Sequence, residues 1–127
     1  MSVKFLSDEW AETLTKACNA NAAFAKATKG QQATIVVNVN GSPAAAAFTM
    51  VYDDGTVTVS TGAGAEADVK LDLEYPTMVE LSKGTTNGPA AIAGGKMTAE
   101  GDMGKMFGLG KAMALLPTIE ADLGLEY

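Results

Sequence analysis

Few side chains in this 127-residue sequence could carry out chemistry, because it contains no histidine, only lysines among its nine basic residues, and one cysteine, Cys18. The absence of histidine removes the commonest general base and the commonest metal ligand, and it excludes Ser-His-Asp or Cys-His centres. A zinc site would have to combine Cys18 with carboxylates, which is a rare ligand set. The composition therefore predicts no metal, cofactor or disulfide, and Cys18 is interpreted as a small buried hydrophobic residue.

Three carboxylates, Asp68, Asp72 and Glu74, lie in the segment whose apolar and polar residues alternate most regularly. Because successive strand residues point to opposite faces, these carboxylates share the polar face and are expected to be solvated. An isomerase-like enzyme would instead need a carboxyl base in an apolar cavity, with a raised pKa. An enzyme of this class therefore remains an alternative, which an Asp or Glu side chain facing an apolar cavity would favour.

Two short motifs resemble ligand-binding loops but lack the rest of the pattern. Asp53-Asp54-Gly55 could begin a calcium loop, yet the later ligands are missing, so a hairpin turn is the better interpretation. The loop at 62–66 carries two glycines, but no Walker-type lysine and no helix follow it. Neither motif predicts a bound ion or phosphate.

Charge limits the partners, since 15 acidic residues and nine lysines give a formal net charge of −6. Nucleic acids and anionic membranes attract clustered Lys and Arg, so we expect no nucleic-acid partner and only transient contact with a membrane. Residues 1–6 lack the apolar core of a signal peptide, and no stretch is long enough to span a bilayer. A cytoplasmic location is therefore expected.

Hydrophobic periodicity predicts the elements that would position a site. Helical spacing from Asp8 to Lys29, with Ser7 as N-cap and Gly30 following, predicts one continuous helix. The other predicted elements are strands near 33–40, 46–52, 57–60, 69–74 and 96–100, helices at 75–84 and 89–93, and a terminal helix from Asp102 to Leu123 that Pro117 should kink or split. Together they predict one α+β domain over residues 1–127, with helices covering the apolar face of a mainly antiparallel sheet.

The segment from Met103 to Pro117 is apolar on most sides and carries only two charges, Lys105 and Lys111. Such a helix must be buried on most sides or must cover something apolar. Its three glycines each weaken a helix by about 1 kcal/mol relative to alanine, and its methionines adapt to irregular apolar shapes. Plain core and the closing wall of a cavity for a variable apolar ligand both remain open.

Four ordered blocks of sequence carry a resemblance to a known family. They are FLSDEWAETL at 5–14, DDGTVTVSTG at 53–62, ADVKLDLEYPTMVELSKG at 67–84 and AAIAGGKMTAEGDMGKMFGL at 90–109. In this order and spacing, they resemble a stand-alone member of the sterol carrier protein (type two-like) lipid-transfer family. The resemblance implies a five-stranded sheet, helices and an apolar tunnel for fatty acids, acyl-CoA, sterols, isoprenoids or other lipids, and it implies no catalysis.

The resemblance also implies which positions line this tunnel. They lie on the strands beneath the helices, on the short helix after Glu74, at the turn around residue 92 and along the terminal helix. The predicted lipid-binding residues are Met50, Leu73, Met78, Leu81, Ile92, Met97, Met103, Met106, Phe107, Leu109, Met113 and Leu116.

The sequence departs from the family in two respects. Its last residues, Leu-Glu-Tyr, are not the peroxisomal targeting tripeptide of some members, which again favours the cytoplasm. Acyl-CoA carriers need cations near the CoA phosphates, and here only Lys96, Lys105 and Lys111 are candidates. A ligand with an uncharged headgroup, or a simple fatty acid, is therefore expected.

Two other functions remain as alternatives to a free lipid carrier. The first is an accessory module that presents a lipid intermediate to partner enzymes. The second is a protein-interaction domain that docks through its terminal helix, which an oligomer burying the methionine face, without a cavity, would favour. The sequence itself favours no particular oligomeric state.

Overall fold

The computed structural model describes residues 3–64 and 66–127, so Met1, Ser2 and Ala65, the last within the predicted loop at 62–66, lie outside it. In chain order the elements are β1 (Val3–Lys4), α1 (Asp8–Ala20), α2 (Ala22–Thr28), β2 (Gln32–Asn40), β3 (Ala47–Asp53), β4 (Thr56–Thr61), β5 (Val69–Glu74), α3 (Tyr75–Lys83), α4 (Gly88–Ala93), β6 (Met97–Gly101), α5 (Met103–Gly108), α6 (Gly110–Ala121) and β7 (Leu125–Glu126). The predicted strands and both short helices after Glu74 are confirmed.

Within the described residues, five strands form one sheet in the order β4-β3-β2-β5-β6. Every neighbouring pair is antiparallel except β2 and β5, which are parallel. After β4 the chain crosses over β3 and β2, so that β5 lies on the far side of β2 and runs in the same direction. The β3–β4 hairpin turns at Asp54 and Gly55, both with positive φ (41° and 95°), as a tight two-residue turn requires. The expected α+β fold with a mainly antiparallel sheet is confirmed.

One face of this sheet is apolar along every strand. The register places Val37 opposite Phe48 on one side and Leu71 on the other, and all three side chains are buried. The intervening residues, such as Lys70 and Asp72, point to the other face and are exposed. Helices cover the apolar face, and this contact forms the core.

The N-terminal helix begins where the sequence predicts, since the Ser7 hydroxyl accepts a hydrogen bond from the Trp10 amide at 3.1 Å. The prediction of one continuous helix to Lys29 is wrong. Asn21 adopts extended backbone angles and its side chain accepts from the Phe24 amide at 2.9 Å, so it ends α1 and caps α2. An asparagine stabilises such a break because its side chain competes for backbone partners.

The terminal helix is also split, but not at Pro117 as predicted. The break lies at Leu109, between α5 and α6, where glycines on either side weaken the helix. Pro117 lies inside α6, where its ring packs against Gly84, and the contact between α6 and α3 offsets the missing hydrogen bond. None of the helices in the described residues is long and apolar enough to cross a bilayer.

The strand after α6, β7, pairs in parallel with β1 at the start of the described chain, and this pair was not predicted. Two backbone hydrogen bonds hold it, from Val3 N–H to Gly124 C=O at 3.0 Å and from Phe5 N–H to Glu126 C=O at 2.9 Å. The Tyr127 ring then packs on the Phe5 ring, with centroids 4.9 Å apart. This pair fixes the segment after α6 against the start of the described chain.

Candidate functional site

The candidate site is the contact between the apolar sheet face and the helices α5 and α6. Leu109, Ala112 and Ile119 are buried in the core, and α6 also packs against α1, α2 and α3. Helix α5 has no buried residue, so its methionines cover the core only partly. A buried α6 and a loosely attached α5 therefore form the outer layer of the site.

The structure brings ten of the twelve predicted lipid-binding residues into one connected apolar cluster. Four of them are buried: Met50, Leu73, Met97 and Leu109. Six are partly buried and pack against that core: Met78, Leu81, Met103, Met106, Met113 and Leu116. The sequence thus identified the layer in which these side chains meet, while their role towards a lipid stays a prediction.

The other two predicted residues, Ile92 and Phe107, are exposed. Ile92 is 39% exposed on α4, and Phe107 is 78% exposed on α5. Next to Phe107, a Cβ on Gly108 would lie 2.6 Å from the Gln31 side-chain oxygen. A side chain at position 108 would therefore require the Gln31 side chain to shift.

An open cleft of about 510 Å³ lies between α3 and the β5–β6 pair. Two of the predicted residues, Leu73 and Met97, line it, so the cleft reaches the edge of the apolar cluster. Its rim is polar and mainly acidic. The lining residues are Asp72, Leu73, Glu74, Pro76, Thr77, Glu80, Gly95, Lys96, Met97 and Thr98.

The three lysines considered for an anionic headgroup do not converge. Lys96 stands on the cleft rim among carboxylates. Lys105 forms an ion pair with Asp68 at 3.3 Å, and Lys111 lies exposed at the start of α6. The structure therefore presents no cluster of these lysines at the cleft.

Asp68 is less solvated than the sequence predicts, although Asp72 and Glu74 are exposed. One carboxylate oxygen accepts from the Thr34 backbone N–H at 2.8 Å, and the other pairs with Lys105. The Thr34 hydrogen bond, followed by Lys105, lowers the pKa of Asp68. Asp68 thus holds the start of β5 against β2, and it has a structural role at this position.

Glu120 is the main residue that the sequence analysis missed. It is 5% exposed on α6, where its Oε1 accepts a hydrogen bond from the Trp10 indole N–H at 3.2 Å. Burial raises its pKa to about 7, although hydrogen bonds from Ser82 and Trp10 act in the opposite direction. The sequence does contain a signal that Glu120 is buried. It lies four residues after Leu116 and seven after Met113, and therefore on the same helical face as these apolar residues.

Cys18 is fully buried beside this carboxyl, as the sequence predicts. Burial, and to a lesser extent Glu120, raises the pKa of the thiol to about 12. A thiol in this state is protonated and weakly nucleophilic at neutral pH. No group of three or more potential metal ligands occurs among the residues that the structure describes.

The fold and this apolar layer define a small α+β protein with one sheet face covered by a methionine-rich helix layer. The family model of the SCP-2 sterol transfer family matches residues 8–114. The chain therefore belongs to this family, as its resemblance indicated.

Solved structures share the fold. A crystal structure of sterol carrier protein 2 matches with a TM-score of 0.77 and 18% identity, over 94% of this chain and 98% of that one. A conserved hypothetical protein from Thermus thermophilus matches with a TM-score of 0.79 and 18% identity, over 99% and 94%. The UbiJ-SCP2 ubiquinone synthesis protein matches with a TM-score of 0.60 and 17% identity, over 85% and 88%. The search of curated protein sequences gave no match.

Proposed function

We propose that residues 1–127 form one lipid-binding unit that carries an apolar lipid between the sheet face and the α5–α6 layer, without catalysis. The observation that carries this proposal is the clustering of ten apolar residues, six of them only partly buried, from the sheet face and from a helix layer interrupted by glycines. The membership in a sterol transfer family supports it. The ten clustered residues are the proposed lining of the site, and the other two predicted residues, Ile92 and Phe107, stay outside it because they are exposed.

Burial of the lipid chain supplies enough free energy without specific polar contacts. Each buried methylene contributes about 0.8 kcal/mol, so about ten of them contribute roughly 8 kcal/mol, which corresponds to micromolar affinity. Met50 and Leu73 are buried in this structure, so we propose that α5 and α6 move outward to admit the chain. Methionine side chains then adapt to ligands of different shape.

The cleft between α3 and the β5–β6 pair is the proposed position of the headgroup. Its rim carries Asp72, Glu74 and Glu80 against a single lysine, Lys96. Anionic phosphates would be repelled there, whereas an uncharged headgroup would not. The rim therefore favours neutral lipids most, and it repels a fatty acid, with its single carboxylate, less than the multiply charged acyl-CoA.

Phe107 supports transient contact with a membrane during lipid exchange. It is the most exposed of the large hydrophobic residues in the described chain, and Lys105 and Lys111 lie on either side of it in sequence. An aromatic ring flanked by lysines can enter the interface of a bilayer, where such rings are favoured. We propose that this membrane contact takes place in the cytoplasm, the location expected from the sequence.

A second candidate function is that of an accessory module that presents a lipid intermediate to enzymes. The similarity to the UbiJ-SCP2 ubiquinone synthesis protein favours it. The two functions predict different behaviour, because a free carrier releases lipid to vesicles while an accessory module releases it only to its enzyme complex. The enzyme alternative gains a buried carboxyl in Glu120, which lies on the α6 face that carries Met113 and Leu116. This carboxyl is, however, hydrogen-bonded to Trp10 within the core.

The proposed function is tested by titrating the protein with a fluorescent fatty acid. The wild type should bind one equivalent, and Met113→Lys should lose binding because it places a charge against the apolar cluster. Thr118→Lys, which adds the same charge at an exposed position of the same helix, is the matched control and should bind normally. Equal binding by both variants would contradict the proposed site.

A further inference from the structure

The carboxyl group of Glu120 lies where three parts of the fold meet. Trp10 on α1 donates its indole N–H to this carboxyl, and the Ser82 hydroxyl on α3 acts to lower the pKa of the same carboxyl. The Ser82 hydroxyl lies 2.7 Å from the Tyr127 hydroxyl, so the same group reaches the segment after β7. Helix α6 is thus attached to α1, α3 and the β7 segment through one ionisable side chain.

The surroundings of Glu120 favour its protonated form. The titratable groups that face it are the Cys18 thiol on α1 and the Tyr127 hydroxyl after β7, both of which are neutral at pH 7. Lys83 on α3 is directed elsewhere, since its ammonium group lies 4.9 Å from the centre of the Tyr127 ring. Trp10 is itself enclosed by Phe5 and Phe48, with ring centroids 5.5 and 5.0 Å away. Among the described residues, a negative charge on Glu120 would therefore have only neutral hydrogen-bond donors to stabilise it.

We propose that Glu120 is a proton-operated latch: in the protonated state it holds α6 against α1 and α3, and on ionisation it loosens that contact. The ionised carboxyl gains hydration only if the end of α6 moves away from Trp10 and Ser82. At its other end α6 begins at the weak junction around Leu109, which allows such a movement. The latch thus regulates the site named above, and its role in lipid exchange rests on the proposed function.

The direction in which pH moves the latch follows from the pKa of the Glu120 carboxyl in the open state and in the packed state. In an open state exposed to water, it ionises near its ordinary pKa of 4.5, whereas in the packed state it ionises at about 7. Raising the pH from well below 4.5 to well above 7 therefore shifts the equilibrium towards the open state by up to about 300-fold. The helix layer is tightest in acid and loosest above neutral pH.

The chain contains one tryptophan, so the emission of Trp10 reports directly on the Glu120 carboxyl. In ligand-free protein we expect the emission to titrate with a midpoint near pH 7. Glu120→Gln, which keeps the shape and the hydrogen bonds, should give a flat profile, while the exposed-residue control Glu100→Gln should titrate as the wild type does. A wild-type profile that is flat, or one that persists in Glu120→Gln, would overturn the proposal.

Ser82→Ala gives a second test with a predicted direction. The Ser82 hydrogen bond lowers the pKa of Glu120, so its removal should move the Trp10 midpoint to higher pH. A merely structural serine would reduce stability without moving this midpoint. An unchanged midpoint in a folded Ser82→Ala protein would contradict the influence of Ser82 on the Glu120 carboxyl.

Amide hydrogen exchange measures the opening itself. Between pH 6 and pH 8, after correction for intrinsic rates, protection of α6 should fall by up to about tenfold relative to β2 in the wild type and stay constant in Glu120→Gln. Fluorescent fatty acid uptake on the same samples separates the two proposals. Titration without uptake would overturn the carrier function alone, and uptake with pH-independent α6 exchange would overturn the latch alone.

Discussion

The indole nitrogen of Trp10 lies 3.2 Å from Oε1 of Glu120, across 110 residues of sequence, and joins the first long helix to the last. Both side chains are buried, so the bond is shielded from water. This contact lies in the same helix layer as the apolar cluster. The hydrogen bond that attaches α6 to α1 therefore lies next to the apolar face of α6, within the same site.

The first prediction concerns stability against pH. Because the pKa of Glu120 is raised from 4.5 to about 7 in the folded protein, its contribution to the free energy of unfolding is full below pH 4.5 and is lost as the pH rises to about 7. The loss amounts to about 3 kcal/mol. Urea unfolding at pH 5 and pH 8 should show this fall in the wild type, relative to Glu120→Gln. Parallel pH dependence in the two proteins would contradict the buried, protonated state.

The second prediction concerns Phe107. Phe107→Ser removes an exposed ring, so stability should change by less than about 0.5 kcal/mol and the affinity for lipid in solution should remain. Transfer of a fluorescent lipid to vesicles should slow severalfold. Val51→Ser is the matched control, since Val51 is 41% exposed on a sheet strand away from α5. Equal transfer rates in the two variants would show that Phe107 does not contact the membrane.

The third prediction uses the glycines at the α5–α6 junction. A Cβ on Gly110 would meet no atom within 4 Å, so Gly110→Ala should stabilise the protein by about 0.5–1 kcal/mol and slow lipid uptake. Gly108→Ala should give a smaller gain, because its Cβ would lie 2.6 Å from the Gln31 side-chain oxygen and this side chain must first shift. Thermal unfolding and stopped-flow uptake would distinguish them. Faster uptake by a stabilised Gly110→Ala protein would contradict opening at this junction.

The fourth prediction concerns the acidic rim. Glu80→Lys should raise the affinity for acyl-CoA severalfold at low salt, and the gain should vanish at high ionic strength. Glu100→Lys makes the same change of charge outside the cleft and serves as the control. Isothermal titration calorimetry measures the affinity of each variant for acyl-CoA and for the matching fatty acid. A wild type that binds acyl-CoA much more tightly than the fatty acid would contradict this position for the headgroup.

The strands were predictable because one sheet face is buried and the other is not. Alternation such as that of Val69, Leu71 and Leu73 with charged residues identifies a strand and its buried face without tertiary information. The apolar cluster was predictable for the same reason, together with the family resemblance.

The features that were missed have two causes. The break at Asn21 is local, because its side chain caps Phe24 three residues later and outweighs simple helix propensity. The continuous helix through Pro117 and the remaining features depend on contacts distant in sequence. The pairing of β1 with β7 involves two residues on each strand, too few for a periodic signal. Glu120 could be placed on the apolar face by its spacing, but its partners Trp10 and Ser82 are defined only once α1, α3 and α6 pack together.

The central claim is that an apolar lipid occupies the layer between the sheet and α5–α6. Native mass spectrometry of protein purified from its own host, with extraction and identification of bound lipid, tests it most directly. The account predicts one bound lipid per chain, with an uncharged headgroup or a simple fatty acid. An empty protein that also takes up no fluorescent fatty acid would contradict it, and the methionine-rich helices would then be ordinary core.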